Sequence, residues 1–119
     1  MSKVKQRLLN IKESMDDIDF ILNGVDFKIT EAIENRIFKP AIRMNIIKIA
    51  EQFSKLKEEN EFELLSHFDA KDLRGLSAIR NFIAHDYDSV DDHIIEDVLR
   101  QNFPKIQQTV TSLLDAISK

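Results

Sequence analysis

From Val4 to Leu22, apolar residues recur at alternating steps of four and three: Val4, Leu8, Ile11, Met15, Ile18 and Leu22. That spacing keeps one side of an α-helix apolar, whereas a strand, with its period of two, would scatter it over both faces. It predicts a helix over Ser2–Asn23, packed in a bundle, with Gly24 in the place of a C-terminal cap. The same rhythm returns in Ile42, Ile46, Ile49, Phe53 and Leu56, within a second helical region from Thr30 to Lys57. A third helix is expected from Ala70 to Ala84, burying Leu73, Leu76, Ile79, Phe82 and Ile83. A last one starts near Ser89 and repeats through Leu99, Phe103, Ile106, Val110, Leu113 and Ile117. Two glycines and two prolines in 119 residues are too few turn formers for a many-stranded sheet. The reading is a single all-α domain over residues 1–119, an antiparallel bundle of four to five helices.

The breaks are marked. Pro40 predicts either a kink in the second region or a fresh helix beginning there. Pro104 predicts a bend in the last helix. Ser89 and Asp92 have the spacing of a capping box, and the acids around them suit the positive end of a helix dipole. Lys57–Glu61 reads as a solvated link.

No cysteine is present, so disulfides and thiolate metal sites are excluded. With an amphipathic rather than apolar start, a reducing cytoplasm is the expected compartment. No stretch approaches the ~20 apolar residues of a membrane span. The net charge of −4 does not favour nucleic-acid binding by the molecule as a whole, so any such function needs a local basic surface. Arg36, Lys39 and Arg43, three and four apart, are the candidates. From Arg36 to Lys57 there are six basic residues and one acid, Glu51. A solvated charged face is the plain alternative. If the patch matters, Arg43→Glu is expected to weaken action on nucleic acid and leave the fold intact.

Chemistry concentrates in Arg80-Asn81-Phe82-Ile83-Ala84-His85-Asp86-Tyr87. Histidine exchanges a proton near neutral pH, arginine grips phosphate with a planar fork, and an amide orients an imidazole or a sugar hydroxyl. These parts suffice for RNA cleavage without a metal: a base takes the ribose 2′-OH proton, the oxygen attacks phosphorus, and a cation stabilises the developing charge. Only RNA carries the 2′-OH. Five residues apart, Arg80 and His85 stand roughly 140° around a straight helix and cannot meet on one phosphate. Either the helix ends before His85, or a twofold partner completes the site. Other roles compete: His85 as a helix-end histidine, Arg80 as ion-pair partner of Asp86 or Asp88, Tyr87 as a half-buried aromatic. His93 with Asp91, Asp92 and Asp97 lacks a ligand spacing, and no metal or cofactor is expected.

The segment resembles the HEPN superfamily, whose helical bundles carry an arginine, four to six residues, then a histidine. Arg80 and His85 match with four between, and Asn81 fills the polar position after the arginine. Tyr87, two residues after the histidine, resembles the extended motif of the HepT ribonuclease toxins, as does the continuation Asp88-Ser89-Val90-Asp91. Ile47-Lys48-Ile49-Ala50-Glu51-Gln52 is similar to that group's second signature, ending in Gly-Glu-Ala, with Ala50 and Gln52 departing from it. The resemblance implies a HEPN-like, twofold homodimeric toxin of a type VII-like toxin–antitoxin pair. It implies that Arg80 and His85 are catalytic, Asn81 supports them, and Tyr87 receives AMP from a minimal nucleotidyltransferase antitoxin. The AMP would block RNA by bulk and charge. The alternative is a non-catalytic HEPN dimer that binds a nucleotide or the antitoxin.

Overall fold

In a computed structural model, residues 2–85 and 91–118 are described, the side chains of 83–85 excepted. Among the described residues every regular element is helical: α1 (Lys3–Asn23), α2 (Ile29–Glu34), α3 (Phe38–Glu58), α4 (Phe62–Leu65), α5 (Ala70–His85), α6 (Asp92–Asp97) and α7 (Phe103–Ile117). A π-helical turn, Val98–Asn102, joins α6 to α7, so one helical run extends from Asp92 to Ile117. The all-α expectation holds, with α1, α3, α5 and the α6–α7 run as the long members. No helix among the described residues is long and apolar enough to cross a membrane.

Helix α1 begins where Ser2 Oγ accepts a hydrogen bond from the Lys5 amide at 3.0 Å. Its seam is buried as the spacing predicts, from Leu8 through Leu22. Gly24 does cap the helix, but in right-handed backbone. The left-handed conformations fall on Asp26 (φ 53°) and Phe27 (φ 59°), whose amide reaches back to Leu22 O at 2.8 Å.

Pro40 marks a fresh helix rather than a kink. Asn35 Oδ1 accepts from the amides of Ile37 (2.8 Å) and Phe38 (3.0 Å), so a side chain just upstream covers the start of α3. Pro40 is then the third residue of α3, where an amide would have no intrahelical acceptor and its loss costs little. At the other end Asn60 adopts φ 61°, and the Glu61 amide bonds to Leu56 O at 3.0 Å. This left-handed cap reverses the chain into α4, which the sequence reading did not anticipate.

Helix α3 lies centrally, with α1 on one side and α5 on the other. Arg7, early in α1, reaches Glu59 at the end of α3, so these two run antiparallel. Gln107 of α7 donates to Asp19 of α1 at 2.6 Å. The core joins Leu8, Ile11, Ile18, Ile42, Ile46, Ile49, Ile79, Ile106 and Val110, each 1% exposed or less. Burying one such side chain contributes about 1.5–3 kcal/mol. Leu76 and Ile79 face that core from α5, but Phe82 does not: it is 55% exposed. Position 82 lies off the stripe that 76 and 79 define, and Ile83's side chain is outside the description.

Near Pro104, where the sequence predicts a bend, the helical run widens into the π turn. Pro104 becomes the second residue of α7, and the widened turn carries Asn102 to Asp72, whose Oδ1 accepts from Asn102 Nδ2 at 2.6 Å. Asp72 is 1% exposed, with Lys105 Nζ 3.4 Å from the same oxygen. At the start of α6 the cap is Asp91, accepting from the His93 amide at 2.8 Å. Ser89 of the expected capping box lies outside the described residues.

Candidate active site

Helix α5 carries the motif. Asp69 Oδ1 accepts from the Lys71 amide at 2.8 Å and opens the helix, which continues without a break to His85. Of the two arrangements open to Arg80 and His85, the one in which the helix stops before the histidine is therefore excluded. Their Cα positions stand roughly 140° apart around one axis.

Arg80 is half-buried, and its partner is an acid that the sequence reading did not assign to it. Nε donates to Glu51 Oε1 on α3 at 2.5 Å. That hydrogen bond, and then the charge of Glu51, raise the guanidinium's pKa above its ordinary value, with Glu58 adding to the effect. Among the described residues, Arg80 makes this one side-chain hydrogen bond, through Nε, and its two Nη nitrogens make none. Asp86 and Asp88, the partners considered from sequence, lie outside the described residues. Glu51 was visible in advance as the lone acid in the basic run from Arg36 to Lys57.

Asn81 is exposed, one residue on. His85 is the last residue of α5, its side chain outside the description. Tyr87 also lies outside the described residues.

The basic patch does not form the expected surface. Arg43 is 4% exposed, and its Nη2 donates to Asp92 Oδ1 at 2.9 Å. Lys39 donates to the other oxygen, Oδ2, at 3.0 Å. Burial opposes ionisation of Asp92, but the hydrogen bonds and charges of Lys39 and Arg43 outweigh it and hold the carboxyl below the usual range. Arg36 lies in the turn before α3 and is exposed. The three cations thus do not share a solvent-facing stripe, and Arg43→Glu would test the fold rather than an RNA surface. Asp92, which reads from sequence as a helix-start acid, is the anchor of this cluster.

His93 is exposed, and among the described residues no three His, Asp or Glu side chains are grouped as metal ligands would be.

A largely apolar cleft that carries cations lies elsewhere. Beside Arg80, a cleft of about 370 Å³ opens between α3, α4 and α5, with Lys57, Arg74 and Arg80 in its lining.

No curated protein and no solved structure matches the chain significantly. The family model described as ribonuclease HepT-like matches residues 11–113, most of the chain and all of α3 and α5. By its sequence and its all-helical fold, the chain belongs to the HepT-like ribonuclease family.

Proposed function

We propose that the protein is the toxin of a toxin–antitoxin pair and cleaves RNA with Arg80 and His85. The observation that carries this reading is the posture of Arg80: Glu51 holds its Nε, and both Nη atoms stay available to a phosphate. An arginine tethered in this way has little freedom left to lose when the substrate arrives, which favours stabilisation of a charge that grows only in the transition state.

In the proposed reaction His85 takes the 2′-OH proton. The 2′-oxygen bonds to phosphorus, the bond to the 5′-oxygen breaks, and a protonated imidazole returns a proton to that leaving oxygen. The products are a 2′,3′-cyclic phosphate and a 5′-hydroxyl. Arg80 neutralises the phosphoryl oxygens, and Asn81 orients the imidazole or the ribose. The unbroken α5 favours a site shared by two copies, with Arg80 and His85 meeting across a twofold axis. AMP placed on Tyr87 by a minimal nucleotidyltransferase would silence the site by bulk and negative charge.

The test is RNA cleavage by purified protein in EDTA, wild type beside His85→Ala. The wild type alone is expected to cut and to leave cyclic phosphate ends. Equal cleavage by the variant, or none by wild type freed of AMP on any conserved substrate class offered, sinks the reading.

A further inference from the structure

The cleft beside Arg80 follows from the residues that face each other across it. On α3 these are Ala50, Phe53, Ser54 and Lys57, and on α5 Ala70, Leu73, Arg74, Ser77 and Arg80. Both sets step by three and four along one helix face. The facing stripes mix small side chains, Ala50, Ser54, Ala70 and Ser77, with the larger Phe53, Leu73 and Arg74. The cap at Asn60 turns α4 across one end and sets Phe62 in the wall, 59% exposed.

The lining is chemically selective. It includes three cations and, among the described residues, no carboxylate. Lys57 and Arg74 make no ion pair with a described residue, unlike Lys39 and Arg43. The acids that act on Arg80 are Glu51, which it engages, and Glu58, and Glu61 and Glu63 flank Phe62 in the chain without entering the lining. Phe53 of the lining packs edge-on against buried Phe68, and Ser54 and Ser77 add hydroxyls to the lining. Exposed aromatic, unpaired cations and short hydroxyls together suit a single-stranded polyanion whose bases are free to leave the stack. A cleft of about 370 Å³ suits one nucleotide unit rather than a duplex groove.

We propose that this cleft seats one unpaired ribonucleotide next to the phosphate at Arg80, with its base on Phe62 and its flanking phosphates on Lys57 and Arg74. The identity of that phosphate as the scissile one rests on the ribonuclease reading above. The cleft then selects unpaired RNA, because a paired base cannot reach Phe62.

Binding of a fluorescent, unstructured oligoribonucleotide is measured by anisotropy in a His85→Ala background, so that the RNA survives, and cleavage is measured in the wild-type background. Phe62→Ala is expected to weaken binding about 5- to 150-fold, and Phe62→Tyr, which keeps a ring to stack on, to restore it. Arg74→Ala should lower the log–log salt slope by about one, whereas Phe62→Ala leaves that slope alone. Lys12→Glu, a charge reversal on α1, is the control. Binding unchanged by Phe62→Ala and Arg74→Ala overturns the cleft, as does an equal loss from Lys12→Glu. Loss of binding to the nucleotidyltransferase with RNA binding intact also overturns it and makes the cleft a protein interface. Should wild type bind but not cut, while both variants lose binding, the cleft stands and the nuclease reading falls. Should wild type and both variants cut and bind alike, the reverse holds. Phe62 and Arg74 are exposed, so thermal melts should match wild type.

Discussion

Two groups of cations lie on or beside α3, and they serve opposite ends. Near its start, Lys39 and Arg43 both grip Asp92, and Arg43 is buried. Near its end, Lys57 faces Arg74 across an open cleft, with no carboxylate partner for either among the described residues. Arg80 stands between the two types: one nitrogen is tied to Glu51, and the other two make no hydrogen bond to a described residue. Positive charge per length of helix is similar in the two places. The difference lies in where another segment places an acid. The first group fastens α3 to α6, and the second leaves a field in solvent that can meet a phosphate.

The sharpest way to break this contrast is to reverse one cation in each group. Arg43→Glu sets a carboxylate against Asp92 inside the fold, and stability should fall by about 3–5 kcal/mol. Arg74→Glu should stay within about ±0.5 kcal/mol of wild type, as exposed substitutions usually do. Urea midpoints read both. If Arg43→Glu unfolds where Arg74→Glu does, the two groups are not distinct.

A smaller effect, on rate rather than stability, separates Arg80 from both groups. Arg80→Lys keeps the charge but loses the planar fork, and cleavage should drop by about 10²–10³-fold, as when one preorganised donor is removed from a transition state. Glu51→Ala leaves the guanidinium in place but unheld. A loss of about tenfold in kcat is expected, with little change in stability, because solvent screens the pair. Glu51→Gln, which can still accept from Nε, should recover most of the rate. If Glu51→Ala cleaves as fast as wild type, Glu51 is a structural tie and nothing more.

How far these features could be seen in advance depended on the distance over which each is determined. The long helices were legible because a step of three or four residues is local, and Leu8 to Leu22 pack as their spacing says. Helix α4 was not, since four residues are too few to show a period. Phe82 is apolar and near the stripe, yet exposed, because α5 turns a different edge to the core. The patch at Arg36, Lys39 and Arg43 was misread because the acid that neutralises two of its members comes 49 residues after Arg43. Charge spacing along one helix carries no record of such a partner. Glu51 was different: a single acid among six bases is a local signal, and the structure gives it a cation of its own. The acidic stretch before α7, which reads from sequence as suiting a helix dipole, has further uses for several members. Asp91 caps α6, Asp92 holds Lys39 and Arg43, and Glu96 accepts from Thr30 and Arg100.

Acid should separate tied cations from open ones, with the smallest effect of the set. Glu59 is bound by Arg7 at 3.1 Å and by Lys3 at 2.5 Å. The hydrogen bond from Arg7, then that from Lys3, lowers its pKa from 4.5 to about 2. Because the folded value is the lower one, the folded protein binds fewer protons at Glu59 than the unfolded chain does in this interval. Its stabilising contribution is complete above about 4.5 and disappears progressively as pH falls to about 2. Asp92, also shifted downward, acts in the same direction. The urea midpoint should therefore decline on acidification, and Glu59→Gln should flatten part of that decline while lowering the plateau at neutral pH only slightly, since the cluster lies at the surface, with Lys3 exposed and Arg7 and Glu59 only partly buried. Lys57→Gln and Arg74→Gln remove cations with no carboxylate partner among the described residues, so neither should alter the acid slope. A slope changed as much by Arg74→Gln as by Glu59→Gln would mean that the cleft cations are engaged by acids after all, and the contrast between the two groups would be lost.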